Sequence, residues 1–224
     1  MSRTTARLVL GALLVGWVAA PASAQPEVIT GVFTVDLRPA IHEVGPDQDR
    51  EEAALIGLFE LARFSFGGMV FGFTFDYDPG ELARRNPEEF VLQPLGTIPW
   101  GDPAVRTRDT QQTNSILSTI IDFTVDEARS PWFEGWRRSG FPTAGGRGSA
   151  STTEGTVGMV LAVEDAMRAA LRSHLRATVP DRPERVRGRL ALDAVPRVSI
   201  HRGEYVAVVR IRIDVADIRS RRAF

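Results

Sequence analysis

Three histidines, His42, His174 and His201, are the only imidazoles in the 224-residue chain, and it contains no cysteine. None of the three lies in an HxH, HExxH or His-x-x-Glu arrangement, the spacings that aim two ligands at one metal from a single element. His201 adjoins an expected turn and His174 sits between the polar and apolar faces of an expected helix, so both read as solvated or hydrogen-bonded structural residues. A Ser-His-Asp triad needs no adjacency in sequence, but no Gly-x-Ser-x-Gly elbow nominates a serine. A hydrolase would therefore rely on dispersed groups, with Asp102 and either His42 or His174 as candidates. Asp76-Tyr77-Asp78-Pro79-Gly80-Glu81 brings carboxylates near a glycine but lacks the later ligands of a calcium loop, and reads as a turn. Gly145-Gly146-Arg147-Gly148 lacks the Gly-Lys-Ser/Thr ending of a phosphate loop and leads into strand-like sequence. These residues predict no metal, no cofactor and no catalytic centre.

Aromatic residues offer more. Trp100, Trp132 and Trp136, with Phe133 and Phe141, lie on segments rich in Pro, Gly and Arg, and Arg137 and Arg138 follow directly. Exposed, such a group would form an aromatic and cationic patch for a partner, with Trp100, Trp132, Trp136 and Arg137 as its members. The competing reading packs Trp132 and Trp136, four residues apart, on one buried helical face. A second set, Phe66, Phe71, Phe73 and Phe75, lies in a segment that alternates from Phe64 to Tyr77 and is interrupted by Gly67-Gly68. Read as a strand or hairpin, it would line an apolar pocket for a lipid or another small ligand, although such sheet faces more often build cores.

The elements that must position these residues follow a short leader. Arg3 and Arg7 precede the apolar run Leu8–Ala20, Pro21 breaks it, and Ala22-Ser23-Ala24 places small residues where signal peptidase cuts. The reading is a signal peptide over 1–24, an exported mature chain from Gln25, and periplasmic or secreted localisation; an uncleaved anchor is the competing reading. Without cysteine, neither a lipid anchor at a lipobox nor a disulfide is available. No later stretch of 18 uniformly apolar residues is evident, so no transmembrane helix is expected in the mature chain. Every basic residue is arginine, and loss of Arg3 and Arg7 leaves 25 basic against 28 acidic residues. That balance lacks the basic excess of a nucleic-acid-binding domain.

Periodicity predicts a strand over Val28–Leu37 with Val32, Phe33 and Val35 as apolar members. A helix follows, opened by Pro46-Asp47, Glu51 and Glu52, carrying Ala54, Leu55, Leu58, Phe59 and Ala62, and ending near Arg63. Gly80–Phe90 reads as a short helix or loop and Gln93–Pro103 as irregular chain. Ala104–Thr110 and Ser115–Val125 form a hairpin whose second arm is half buried through Leu117, Thr119, Ile121, Phe123 and Val125. Met159–Thr178 is a helix with an apolar stripe of Met159, Val163, Ala166, Met167, Ala170 and Leu171, and Glu164 is spaced to pair with Arg168. Val186–Ile200 and Tyr205–Ile218 flank the turn His201-Arg202-Gly203.

The run Gly146-Arg147-Gly148-Ser149-Ala150, the alanine-rich helix Val160–Arg176, Val186-Arg187-Gly188 and the strand Tyr205–Val215 together resemble small periplasmic domains of flagellar-ring accessory proteins and related envelope lipoproteins. The resemblance covers about a third of the chain. It implies a soluble envelope assembly or scaffold role without chemistry, and the missing lipidation cysteine departs from it. Terminal Phe224 follows a stretch, Ser220–Arg222, too polar for a lipid-facing strand. The combined expectation is an α+β protein with a largely antiparallel sheet packed by two main helices. Its regions are 25–139 and 140–224, with duplication of a strand–helix–strand unit as an open alternative to one compact domain. The expected function is non-catalytic binding or scaffolding with an envelope protein partner; a carrier of an apolar small ligand and a dispersed-residue hydrolase are the alternatives.

Overall fold

A computed structural model describes residues 26–37, 50–80, 87–138 and 140–220. The leader, His42, the Pro46-Asp47 helix start, residues 81–86 and Phe224 lie outside the described residues. The fold is α+β, with two antiparallel sheets and three α-helices among the described residues.

The smaller sheet has strand order β1-β5-β4, built from β1 (Glu27–Asp36), β4 (Val105–Thr113) and β5 (Ile116–Val125). Period-2 patterning sends Ile29, Phe33, Val35, Leu117, Ile121, Phe123 and Val125 to one face, where all are buried. Val32, expected among the apolar members, belongs to the opposite phase of β1 and is 60% exposed. Thr119 sits in the buried row and meets its polar requirement through Thr110 Oγ1 at 3.0 Å and the Asp109 carbonyl at 3.1 Å. The β4–β5 hairpin turns at Asn114, whose φ of 56° lies in the left-handed region that asparagine tolerates.

The larger sheet runs β3-β2-β7-β9-β6, with β8 also paired to β9. Its strands are β2 (Phe73–Asp78), β3 (Glu89–Pro94), β6 (Thr143–Ser151), β7 (Pro183–Leu192), β8 (Arg197–His201) and β9 (Glu204–Ser220). β2 pairs β7, so strands from 25–139 and 140–224 share one sheet. The first expected strand–helix–strand unit is split: β1 belongs to the small sheet and β2 to the large one, whereas β6, β7, β8 and β9 stay together. β3 replaces part of the expected irregular chain; it is an edge strand, and Pro94, which cannot donate to a ladder, is its last residue.

Helix α1 (Arg50–Val70) runs past the expected end at Arg63, and this corrects the strand reading of Phe64–Tyr77. Phe64, Phe66, Gly67 and Gly68 are helical, and only Phe73–Asp78 is strand. The glycines serve packing: a Cβ on Gly68 would fall 2.6 Å from Phe73 and 3.0 Å from Leu192. The helix ends at Gly72, whose φ of 75° and N–H to the Gly67 carbonyl at 3.2 Å turn the chain into β2. Phe66 meets Phe33 edge-on at 5.8 Å and stacks on Phe123 at 5.5 Å, while Phe64 touches Phe73 at 5.2 Å. α1 therefore lies between the two sheets. That explains why its Glu51–Val70 segment is long and apolar enough to cross a membrane, contrary to the sequence expectation: it is a core helix with Ala54, Leu58, Leu61, Ala62, Phe66 and Val70 buried.

Helix α3 (Val157–Thr178) lies on β6 and β9. Its close approach needs glycine: a Cβ on Gly146 would sit 2.1 Å from the Ala166 carbonyl oxygen, and one on Gly148 2.1 Å from the Ala166 nitrogen. The Gly-x-Gly-x-Ala strand and alanine-spaced helix are thus two sides of one tight contact. Arg168 pairs with Asp165 rather than with the expected Glu164.

Candidate functional site

The site is a groove built by helix α2 (Ser130–Arg138), which packs against α1 and meets Arg189 of β7 through Trp136. Asp126 starts this helix by accepting the Arg129 N–H at 2.9 Å, and Arg212 satisfies its final turn by donating to the Trp136 carbonyl at 3.3 Å. Four-residue spacing would place Trp132 and Trp136 on one face, but the helix is only nine residues long and divides them by depth. Trp136 is 6% exposed, donates its indole N–H to the Phe71 carbonyl at 3.2 Å and touches Phe141 at 5.1 Å. Trp132 remains 48% exposed and meets Phe71 edge-on at 6.1 Å. Gly135 lies on the exposed side with open space around its Cα, and leaves a cavity of about 300 Å³ between the rings. Arg189 of β7 closes one wall, its guanidinium 5.8 Å from the Trp136 ring and held by Asp214 at 3.1 Å.

The expected patch Trp100, Trp132, Trp136 and Arg137 is not one surface. Trp136 belongs to the packed wall. Trp100, 53% exposed, lies on the loop before β4, where Arg63 of α1 stands 4.7 Å over its ring and Phe59 lies 6.4 Å away. Arg137 points to β1, paired with Glu27 and set 5.2 Å over Phe133. The groove's cation is Arg189, which no local pattern singled out because β7 is remote in sequence. Phe141, grouped with these tryptophans in the sequence, does meet Trp136, whereas Phe71 reads there as part of the alternating strand and in the fold borders the groove.

Nor do Phe66, Phe71, Phe73 and Phe75 line one pocket. Phe66 is core, Phe71 borders the α2 groove, and Phe75 borders a cleft on the arginine-rich side of β2 and β7. Phe73 borders a third cavity, about 370 Å³, between α1, α3 and the chain leaving β3. The physical reason is the helix: Phe64 and Phe66 are rotated by about 200° on a helical cylinder instead of aligned along a strand.

The dispersed-hydrolase residues are also separated in role. Asp102 has a buried carboxylate that pairs with Arg129 and accepts the Ala104 N–H at 2.9 Å. No hydrogen bond joins it to His174, which lies late in α3, where burial lowers its pKa. His201 closes β8 beside Arg202-Gly203 and is exposed. A second polar group joins β2 to α3: Tyr77 donates to Glu88 at 2.7 Å, and Arg172 Nε donates to the same oxygen at 2.9 Å. Burial pushes the Tyr77 phenol up, reinforced by the Glu88 carboxylate, while the Tyr77 hydroxyl and Arg172 hold Glu88 below its usual range against the opposing effect of burial. Among the described residues, no group of three His, Cys, Asp or Glu side chains is placed to hold a metal.

A protein-family model matches residues 18–220, nearly the whole chain. The chain belongs to that family. A relative, an uncharacterized protein of Treponema pallidum (strain Nichols), is 29% identical over 161 residues, covering 72% of this chain and 68% of its own. No solved structure matches.

Proposed function

We propose that this family member is an exported, non-catalytic binding protein of the cell envelope, and that the α2 groove receives a segment of a protein partner. The observation that supports this most directly is Trp132, a large aromatic side chain left half exposed beside a buried aromatic wall. At about 300 Å³ the groove is at the lower limit of small-molecule sites and suits one or two side chains of a peptide. Trp and Arg are the residues that most often dominate such contacts. Arg189, its charge already paired with Asp214, contributes a flat cationic face beside the Trp136 ring, so the segment expected is an apolar or aromatic anchor. Export is supported by the leader over 1–24, with its basic start, apolar run and small-residue cut site.

The test is affinity capture from crosslinked envelopes with wild type and Trp132→Ala, followed by titration of peptides from the captured partner. Truncating a hot-spot tryptophan should weaken binding by at least about 30-fold, or about 2 kcal/mol, with little change in melting temperature. Equal capture and equal peptide affinity for both proteins would reject the groove as the docking site.

A second reading, carriage of an apolar small ligand, is favoured by the cavity between α1 and α3, where Phe64 and Phe73 form an aromatic floor.

A further inference from the structure

The α1–α3 cleft has an unusual electrostatic lining. Its apolar surface comes from Phe64, Phe73, Leu92, Ile98 and Val160. Among the described residues three charged side chains line it: Glu60 and Arg63 from α1 and Glu164 from α3. Arg63 is already committed, donating its Nε to the Ile98 carbonyl at 2.7 Å and standing over Trp100. Neither glutamate has an ion pair or hydrogen bond among the described residues, although α3 is rich in arginine. Arg168 turns to Asp165 and Arg172 to Glu88, leaving Glu164 with its carboxylate against the cleft. Burial raises the pKa of Glu164, as expected for a carboxylate partly removed from water without a cation beside it.

We infer that the α1–α3 cleft binds a small organic cation, an amine or guanidine carried on an apolar body, with its charge between Glu60 and Glu164 and its body against Phe64 and Phe73. The inference rests on the carrier reading and supplies the ligand chemistry that reading lacks. Three properties of the cleft agree on this class. The volume, about 370 Å³, is within the range of small-molecule sites but admits only a compact ligand. Among the described lining residues two carboxylates outnumber one guanidinium, which favours a cation over an anion or zwitterion. The tilted ring pair Phe64 and Phe73, centroids 5.2 Å apart, lines the same cleft and offers aromatic surface, which attracts positive charge.

Calorimetric titration of the purified protein with phenylbutylamine, phenylbutanol and phenylbutyrate tests this. The amine should bind about tenfold or more tightly than the alcohol, since a charge-assisted hydrogen bond contributes more than a neutral one, and the carboxylate should bind least. Affinity for the amine should fall as the pH is lowered, because protonation of Glu164, whose pKa burial raises, removes its charge from the cleft. The double variant Glu60→Gln/Glu164→Gln should remove the preference for amine while keeping the affinity for alcohol. Val160→Trp, which fills the cleft, should abolish both, with melting curves confirming that each variant is folded. Equal binding of amine and alcohol by wild type would overturn the cation inference and leave the carrier reading intact. Absence of binding by all three probes would overturn both.

Discussion

At the residue scale, the side chains with displaced ionisation report where folding placed polar groups at a disadvantage. Tyr205 is 1% exposed and its hydroxyl has no hydrogen-bond partner among the described residues. Burial, aided by the Asp36 charge, pushes its phenol up to about 12. The unfolded phenol ionises near the ordinary value of about 10, so between pH 10 and 12 the unfolded state binds fewer protons and stability falls as pH rises. Tyr205→Phe should therefore leave stability at pH 7 unchanged or raise it by up to about 1 kcal/mol, and should flatten the alkaline loss in chemical denaturation. Glu164 obeys the same sign at lower pH: its raised folded pKa means that its contribution is intact in acid and lost as pH rises through the carboxylate range. Glu164→Gln should melt above wild type at pH 7, and the difference should vanish in acid. Asp102 is a buried carboxylate paired with Arg129 and accepting the Ala104 N–H. Asp102→Asn should cost about 2 kcal/mol in urea unfolding, because the charge-assisted bond of the buried carboxylate to Arg129 is weakened while Asp126, at 3.0 Å, still pairs the guanidinium.

At the element scale, two glycine sets have opposite roles. Gly146 and Gly148 face α3 with no room for a Cβ, whereas a Cβ added to Gly135 in α2 would enter open space. Gly148→Val should destabilise by more than about 3 kcal/mol, since the helix would have to lift from β6 and β9. Gly135→Ala should stabilise by about 0.5–1 kcal/mol, as alanine restricts the unfolded chain and favours helix. Thermal melts of the two variants should therefore move in opposite directions. α2 itself separates stability from recognition. Trp136→Ala should cost about 3–5 kcal/mol of stability by opening a cavity at the outer sheet face, while Trp132→Ala should cost under about 1 kcal/mol and act mainly on partner affinity.

At the scale of the whole molecule, α1 joins the small sheet to the large one. Phe66 bridges directly to Phe33 and Phe123, and Gly68 lets the same helix settle against Phe73 and Leu192. A change at Phe66 should therefore be felt by both sheets together. In Phe66→Ala, tryptophan fluorescence and far-ultraviolet dichroism should follow a single, coincident unfolding transition shifted by about 3–5 kcal/mol. Two separated transitions would show instead that the sheets unfold independently.

The sequence alone determined those parts of the fold in which local pattern and burial have one period. Leu117 to Val125 alternates because one face of β5 is core, and Met159 to Leu171 repeats at helical spacing because one stripe of α3 meets the sheet. The α+β class, the β4–β5 hairpin and the turn at Arg202-Gly203 follow from such patterns. Phe64 to Tyr77 misled because the last two turns of α1, Phe64 to Val70, carry no charged residue to mark their period, and the aromatics happen to alternate. β3 was obscured by Pro94 and by its place at a sheet edge, where burial imposes little pattern. The candidate sites depended most on tertiary structure. Trp132 was legible as a residue type, but its exposure depends on how far α2 reaches over Phe71, and Arg189 enters from a strand more than fifty residues later. The unpaired state of Glu60 and Glu164 was set in the same way, by Asp165 and Glu88 engaging the nearby arginines of α3. Periodicity records which way a residue faces; which distant side chain meets it there is decided only when helices and sheets pack.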